Sequence, residues 1–524
     1  MIDWPEKGTH HDILLRQAEV SGDKPFVTMD GTTLSFADVA RESATLAAGL
    51  EAIGVAKGSR VALMAGNRLE FIGIWFALSR LGAVLVPVNT AHRGEVLRHM
   101  LSISECSHML VESGLLPQVA EVLADLPALA TLVMLDDEAA QVGGEVRCLP
   151  FSALRTHGAS PQPVRVLPSD PAMIMFTSGT TGPSKGALKP QNEAYYLAAM
   201  ACRVMSYTAG DRLYICLPLF HGNAQLLGVL PALRAGAQVF LVQKFSASQF
   251  WPDVKRHGCT AANYVGSLIP ILMKADPTPD DADNPLVKMM GAGAPAALYE
   301  AFETRFGVNL TEGYGMSEAG APFQNIPGRR KTGTCGLLQA DYDVMLVDDD
   351  GLPVPDGTPG ELLMRPRKLH IMMLEYVGMP EKTIEAWRDL WFHTGDYLKR
   401  DADGFYVFVD RKKDAIRRRG ENISSYETEQ AVGRHEAVFQ CAAVGVPSDV
   451  GEEEVMICVV AKPGHAIDPA ELHAFCRGQM AGFMVPRFIR ILDALPMTAT
   501  QRPEKYRLRQ EGVTPATWDA RRAG

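Results

Sequence analysis

Residues 177–186, Thr-Ser-Gly-Thr-Thr-Gly-Pro-Ser-Lys-Gly, gather hydroxyls, glycines and one lysine into a single stretch. Glycines let a backbone approach a ligand closely, hydroxyls donate hydrogen bonds and the ammonium adds charge, which together is phosphate-binding chemistry. The apolar run Ala172 to Phe176 just before it predicts a buried strand, so the loop opens where backbone N–H groups can converge on an anion. A Walker loop needs glycine before its lysine and Ser or Thr after it. Lys185 follows Ser184 and precedes Gly186, which excludes an ordinary P-loop NTPase. Taken alone, the same composition also suits a flexible linker.

Further stretches carry reactive side chains. They are Pro218 to Gln225 around His221, Gly291 to Pro295, Thr311 to Glu318, Trp391 to Asp396, and the charged run from Asp410 through Arg417, Arg418 and Arg419 to Ile423. Each has a bland reading in isolation: His221 as a satisfied core histidine, Tyr314 as a core aromatic, the arginine run as a solvated face. Gly315-Met-Ser317-Glu-Ala319 nearly forms a hydrolase elbow, but Ala319 stands where that motif requires glycine.

The elements that must hold these residues have a βαβ rhythm. Strand-like Arg60 to Met64, a helical 69–82, strand-like Ala83 to Val88 and a helical 93–102 predict layered α/β architecture over roughly 35–245. Clustered turn residues from Asp348 to Gly360 predict a β-rich subdomain at about 335–410. A hinge is expected at Lys413, dividing residues 1–412 from a small mobile α+β C-terminal domain, 413–524.

Composition bounds the rest. A chain of 524 residues that is 47% hydrophobic exceeds one core and fills at least two domains. A net charge of −10 argues against nucleic-acid partners. The charged, proline-bearing start and the lack of a long apolar run predict a cytoplasmic protein without stable membrane insertion, with surface contact by the 93–102 helix left open. Nine scattered cysteines with no C-x-x-C pair read as reduced core residues.

In order and number, these motifs resemble the adenylate-forming (AMP-binding) superfamily, and within it most closely the crotonobetaine/carnitine-CoA ligase group. The resemblance covers nearly the whole chain from about residue 25. It implies that Thr177, Ser178, Gly179, Thr180, Thr181, Gly182 and Lys185 hold the β- and γ-phosphates of ATP, and that His221 lines the acyl pocket. It places Gly293, Ala294, Pro295, Glu312, Gly313, Tyr314 and Gly315 in the adenine slot, Ser317 on the α-phosphate and Glu318 on Mg²⁺, a hard cation that prefers oxygen. Asp396 would grip the ribose hydroxyls and Arg411 ribose and phosphate, while Gly420, Glu421 and Asn422 would line the channel of coenzyme A after the C-terminal domain rotates about Lys413. The acyl pocket is expected around Tyr264 to Leu268, Asn223 and Ala292. By analogy the resemblance also allows a homodimer.

One expected segment departs from the family. Gln501 and Arg502 stand where a glycine and the catalytic lysine belong, with Lys505 as the downstream basic residue. That lysine offsets charge as the substrate carboxylate nears the α-phosphate. Arginine keeps the charge with a different, planar geometry, and Pro503 biases Arg502 toward an extended backbone. The resulting expectation is an ATP-dependent carboxylate:CoA ligase in which Arg502 substitutes in role. Two alternatives stand beside it: an adenylating enzyme that passes its acyl group to an amine or carrier protein, and a non-catalytic nucleotide or acyl-CoA binder.

Overall fold

The structure is a computed structural model that describes residues 4–137, 142, 146–156, 164–177, 184–266, 268–294, 296–348, 350–411, 415–419, 421–448, 451–496, 503 and 505–522. Side chains at 297, 409–411, 415, 422, 424, 426, 430 and 506 are likewise outside the description.

Two large sheets dominate the N-terminal part. One has eight strands, with Val84–Pro87, Arg60–Met64 and His108–Val111 parallel at its centre and Pro171–Thr177 against Val84–Pro87. The other has nine, and its strands Arg212–Ile215, Ala261–Asn263, Lys288–Gly291 and Asn309–Met316 lie side by side in parallel. Parallel strands buried on both faces need apolar residues throughout, which is how Arg60–Met64 and Val84–Pro87 read. The helix Leu69–Leu81 is apolar on nearly every face and correspondingly buried, with Phe71, Trp75 and Phe76 inside. It ends at Gly82, whose φ of 67° is a left-handed cap that glycine adopts without steric penalty. One continuous core joins both sheets.

A five-stranded antiparallel sheet built on Tyr342–Val347, Gly360–Pro366 and Trp391–Arg400 forms the β-rich region expected there. Tyr406–Arg411 pairs with Trp391–Arg400 and sets Arg411 opposite Asp396. A smaller C-terminal domain follows: the hairpin Ala415–Arg418/Glu421–Ser424, then a four-stranded sheet led by Val438–Pro447 and Glu453–Ala461. The expected hinge residue, Lys413, lies outside the described residues.

Two expectations change. The helix Gly94–Ser104 does not offer an apolar face to a membrane, because Val96 and Met100 pack with Ile416, Ile423 and Val432 of the C-terminal domain. Arg434 pairs with Glu95 at 3.2 Å on the same seam. Lys185 and Gly186 belong to a strand, not to the loop: Lys185–Pro190 pairs antiparallel with Pro171–Thr177, setting Thr177 opposite Lys185. No helix among the described residues is long and apolar enough to cross a membrane. All nine cysteines are free thiols.

Candidate active site

A cavity of about 1300 Å³ opens beside the C-terminal ends of the nine-stranded sheet's parallel strands, where open α/β sheets bind ligands. It is lined by Thr177, Lys185, His221, Gly293, Gly313, Tyr314, Gly315, Ser317, Glu318, Asp396 and Glu421. These residues come from six separate stretches of sequence, and the fold brings them to one place. Ser178, Gly179, Thr180, Thr181, Gly182, Pro295, Gly420 and Arg502 lie outside the described residues. Arg411 and Asn422 are placed by backbone pairing alone.

Glu318 sits at the centre, buried, and its Oε1 accepts from the Thr177 hydroxyl at 3.2 Å and the Tyr376 hydroxyl at 2.9 Å. Lys185 Nζ reaches Tyr376 Oη at 3.2 Å and stands 4.3 Å from its ring centroid. The strand lysine is thereby tied to Glu318 through one phenol. Burial and the adjacent carboxylate push the Tyr376 hydroxyl well above its ordinary value, so it stays a donor. No cluster of three or more His, Cys, Asp or Glu that would hold a metal occurs among the described residues. The local donor set of one carboxylate and one hydroxyl nevertheless fits Mg²⁺, which binds through one or two carboxylates completed by phosphate oxygens and water.

Tyr314 and Asp396, expected to face adenine and ribose, meet each other: the Tyr314 hydroxyl donates to Asp396 Oδ2 at 2.6 Å. Two residues expected in the adenine slot support it from behind. Glu312 and Ala294 do not line the cavity; Glu312 Oε1 accepts from the Ala294 amide at 2.7 Å and pins the Gly291–Ala294 turn. That turn also needs Gly266, since a Cβ there would fall 2.0 Å from the Gly293 carbonyl oxygen. Around the acyl side, Val265, Asn223 and Ala292 line the cavity as expected, but Tyr264 and Leu268 are buried behind it.

Burial raises the Glu312 carboxyl from 4.5 to about 7, outweighing its amide hydrogen bonds. The folded state therefore holds this proton where the unfolded chain has lost it, and the group's contribution to stability falls as pH rises from about 4.5 to about 7. The loss amounts to roughly 3 kcal/mol at most. Glu312→Gln is expected to flatten the fall of the urea midpoint between pH 5 and pH 8. A slope identical to wild type would contradict the assignment.

The C-terminal domain enters the same cavity. Glu421 Oε1 lies 2.8 Å from His221 Nε2. Burial alone would raise the Glu421 carboxyl; His221, with smaller help from His92 and Arg417, holds it below its ordinary value. Beside this pair, Glu427 Oε1 accepts from the Ser184 amide at 2.6 Å and also from the Ser184 hydroxyl, at the end of the glycine-rich loop. His99 Nε2 lies 2.9 Å from the Ser184 carbonyl. Lys505 is held away from the cavity, on Glu429 at 2.6 Å and Ser425 at 2.7 Å.

Sequence reasoning missed Tyr376, Glu427 and the pair Lys189–Glu193. Lys189 Nζ is 2.6 Å from Glu193 Oε1, both side chains almost fully buried, and it also donates to the Ser317 carbonyl. A lysine directly after the apolar Ala187 and Leu188 in the strand Lys185–Pro190 was the available signal for that pair. Tyr376 and Glu427 have no local motif.

The profile of the family described as AMP-binding enzyme matches residues 14–377, and that of the AMP-binding enzyme C-terminal domain matches 427–502. A sulfoacetate–CoA ligase of Cupriavidus necator is 31% identical over 496 residues, 93% of this chain and 94% of that protein. A crotonobetaine/carnitine–CoA ligase of Salmonella typhi is 30% identical over 463 residues, covering 87% and 89%. Among solved structures, an o-succinylbenzoate CoA synthetase double mutant from Bacillus subtilis, bound with a product analogue, superposes with a TM-score of 0.83 at 23% identity, covering 96% of this chain and 99% of that one.

Proposed function

The chain belongs to the AMP-binding enzyme family, and we propose from that premise that it is an AMP-forming carboxylate:CoA ligase with two half-reactions in one cavity. In the first, a substrate carboxylate oxygen attacks the α-phosphorus of ATP, the bond to the bridging oxygen of the β-phosphate breaks, and pyrophosphate leaves an acyl-adenylate. In the second, the sulfur of coenzyme A attacks the acyl carbonyl, its proton passes to solvent, and AMP departs with the electrons of the broken C–O bond.

Tyr314 offers a ring face to adenine, and Asp396, fixed by the Tyr314 hydroxyl, presents its other carboxylate oxygen to the ribose. Thr177, Ser317 and the 178–182 loop take the phosphates. Lys189 and Glu193 hold the Ser317 backbone in place. Glu318, with Thr177, is the ligand for Mg²⁺, which supplies charge neutralisation on the phosphates when bound. Arg502 offsets charge in the first half-reaction, with Arg411 on ribose and phosphate.

The observation that carries the CoA reading is the contact of Glu421 with His221 at the acyl cavity, while Lys505 is held on Glu429. This arrangement suits thioester formation, with rotation about Lys413 exchanging it for the adenylating one. Transfer to a free amine would give the Glu421 loop no thiol channel to line.

Glu427→Gln tests the docking. It weakens the hold on Ser184 and is expected to slow thioester formation from supplied acyl-adenylate and CoA by about tenfold, since hydrogen bonds to a charged group contribute about 1.5–3 kcal/mol. ATP–pyrophosphate exchange should change less than twofold. Equal losses in both assays would contradict the assignment of this arrangement to the second half-reaction.

A further inference from the structure

We infer, resting on the ligase reading above, that the acid activated here carries an uncharged, predominantly apolar acyl group. The wall of the cavity around Asn223 is built from Leu226 and Leu227, Val265 and Met290. Their contiguity is fixed by direct contacts: Asn223 Nδ2 donates to the Tyr264 carbonyl at 3.2 Å, Asn263 Nδ2 donates to Asn223 Oδ1 at 2.8 Å and to the Leu227 carbonyl at 3.1 Å, and Tyr264 packs directly beside Gly291.

Asn223 is the polar side chain on this wall, and both arms of its amide are already engaged by protein. Three charged groups that line the cavity are held by protein partners. Lys189 is held at 2.6 Å from Glu193 and donates to the Ser317 carbonyl, with under 5% of the Lys189 and Glu193 side chains exposed. In the thioester-forming arrangement His221 is engaged by Glu421, and Glu318 accepts from Thr177 and Tyr376. Gln324, whose buried Oε1 lacks a partner, is neutral and packs against Gly313 beside Tyr314, on the nucleotide side. Among the described residues, none of those forming the wall around Asn223 carries a charge that compensates a sulfonate, a second carboxylate or a quaternary ammonium. A charge placed there loses its water without gaining a partner, which disfavours it far more than a change of one methylene would.

Binding of acyl-sulfamoyl adenosines, stable mimics of the acyl-adenylate, to the full chain separates this inference from the reaction assigned to it. Hexanoyl and benzoyl mimics are expected to bind at least about 100-fold more tightly than sulfoacetyl or trimethylammonio-butanoyl mimics, measured by calorimetric titration. Leu227→Arg is expected to weaken the hexanoyl mimic at least tenfold and to tighten the sulfoacetyl one, whereas Leu227→Met leaves the order unchanged. Charged mimics binding as tightly as apolar ones overturn the inference while leaving the ligase assignment standing. Failure of every mimic, together with failure of ATP itself to bind, overturns both.

Discussion

Glu318→Gln is expected to slow acyl-adenylate formation by about 100- to 1,000-fold, read as ATP–pyrophosphate exchange with a competent acid. The substitution keeps the shape of the side chain and an acceptor for the Thr177 and Tyr376 hydroxyls, which bond Oε1 at 3.2 and 2.9 Å. What it removes is the negative charge that, on the proposed reading, would hold a divalent cation against the phosphates. The fold should be unaffected, because neither hydroxyl loses its acceptor. Pyrophosphate exchange within threefold of wild type would show that Glu318 does not hold the cation, and would send the search to other oxygens of the cavity.

Arg502→Ala is expected to have a comparable effect, a loss of about 100-fold or more in the same exchange, because it leaves two anions to approach each other without an intervening cation. Arg502→Lys should recover to within tenfold of wild type. Neither change should slow thioester formation from supplied acyl-adenylate, since the arrangement seen here brings Glu421 to His221. Arg502 lies outside the described residues, but the structure bears on its nearest rival. Lys505 sits between Glu429 and Ser425 within the C-terminal domain, an ion pair that would have to break before Lys505 could serve in its place. Full exchange activity in Arg502→Ala would assign the task to another cation.

What could be read from sequence was what is local. The apolar runs at 60–64 and 84–87 became parallel strands and the intervening helix fell at Leu69–Leu81, because burial on both faces leaves a continuous hydrophobic signature. The phosphate-binding composition, the Thr311–Glu318 motif and Asp396 were legible because several functional groups sit within a few residues of one another. Pairings across the chain were not. Ser184 and Glu427 are 243 positions apart, and no property of either residue announces the other. Lys189 and Glu193 stand four apart across the junction of a strand and a helix, and the lysine among apolar strand residues hints at burial without naming its partner or the Ser317 carbonyl it holds. Glu312 sits inside the nucleotide motif yet turns to the Ala294 amide, a partner 18 positions away that the motif does not announce.

The central claim is that one cavity joins a carboxylic acid to CoA at the expense of ATP. Its most direct test is pyrophosphate release from MgATP across a panel of carboxylic acids, each run with and without CoA, with AMP and thioester quantified alongside. The account predicts acid-dependent release that CoA stimulates, with AMP, pyrophosphate and thioester formed in equal amounts. Demonstrable ATP binding with no release for any acid, or release that CoA leaves unchanged and that yields no thioester, would contradict it.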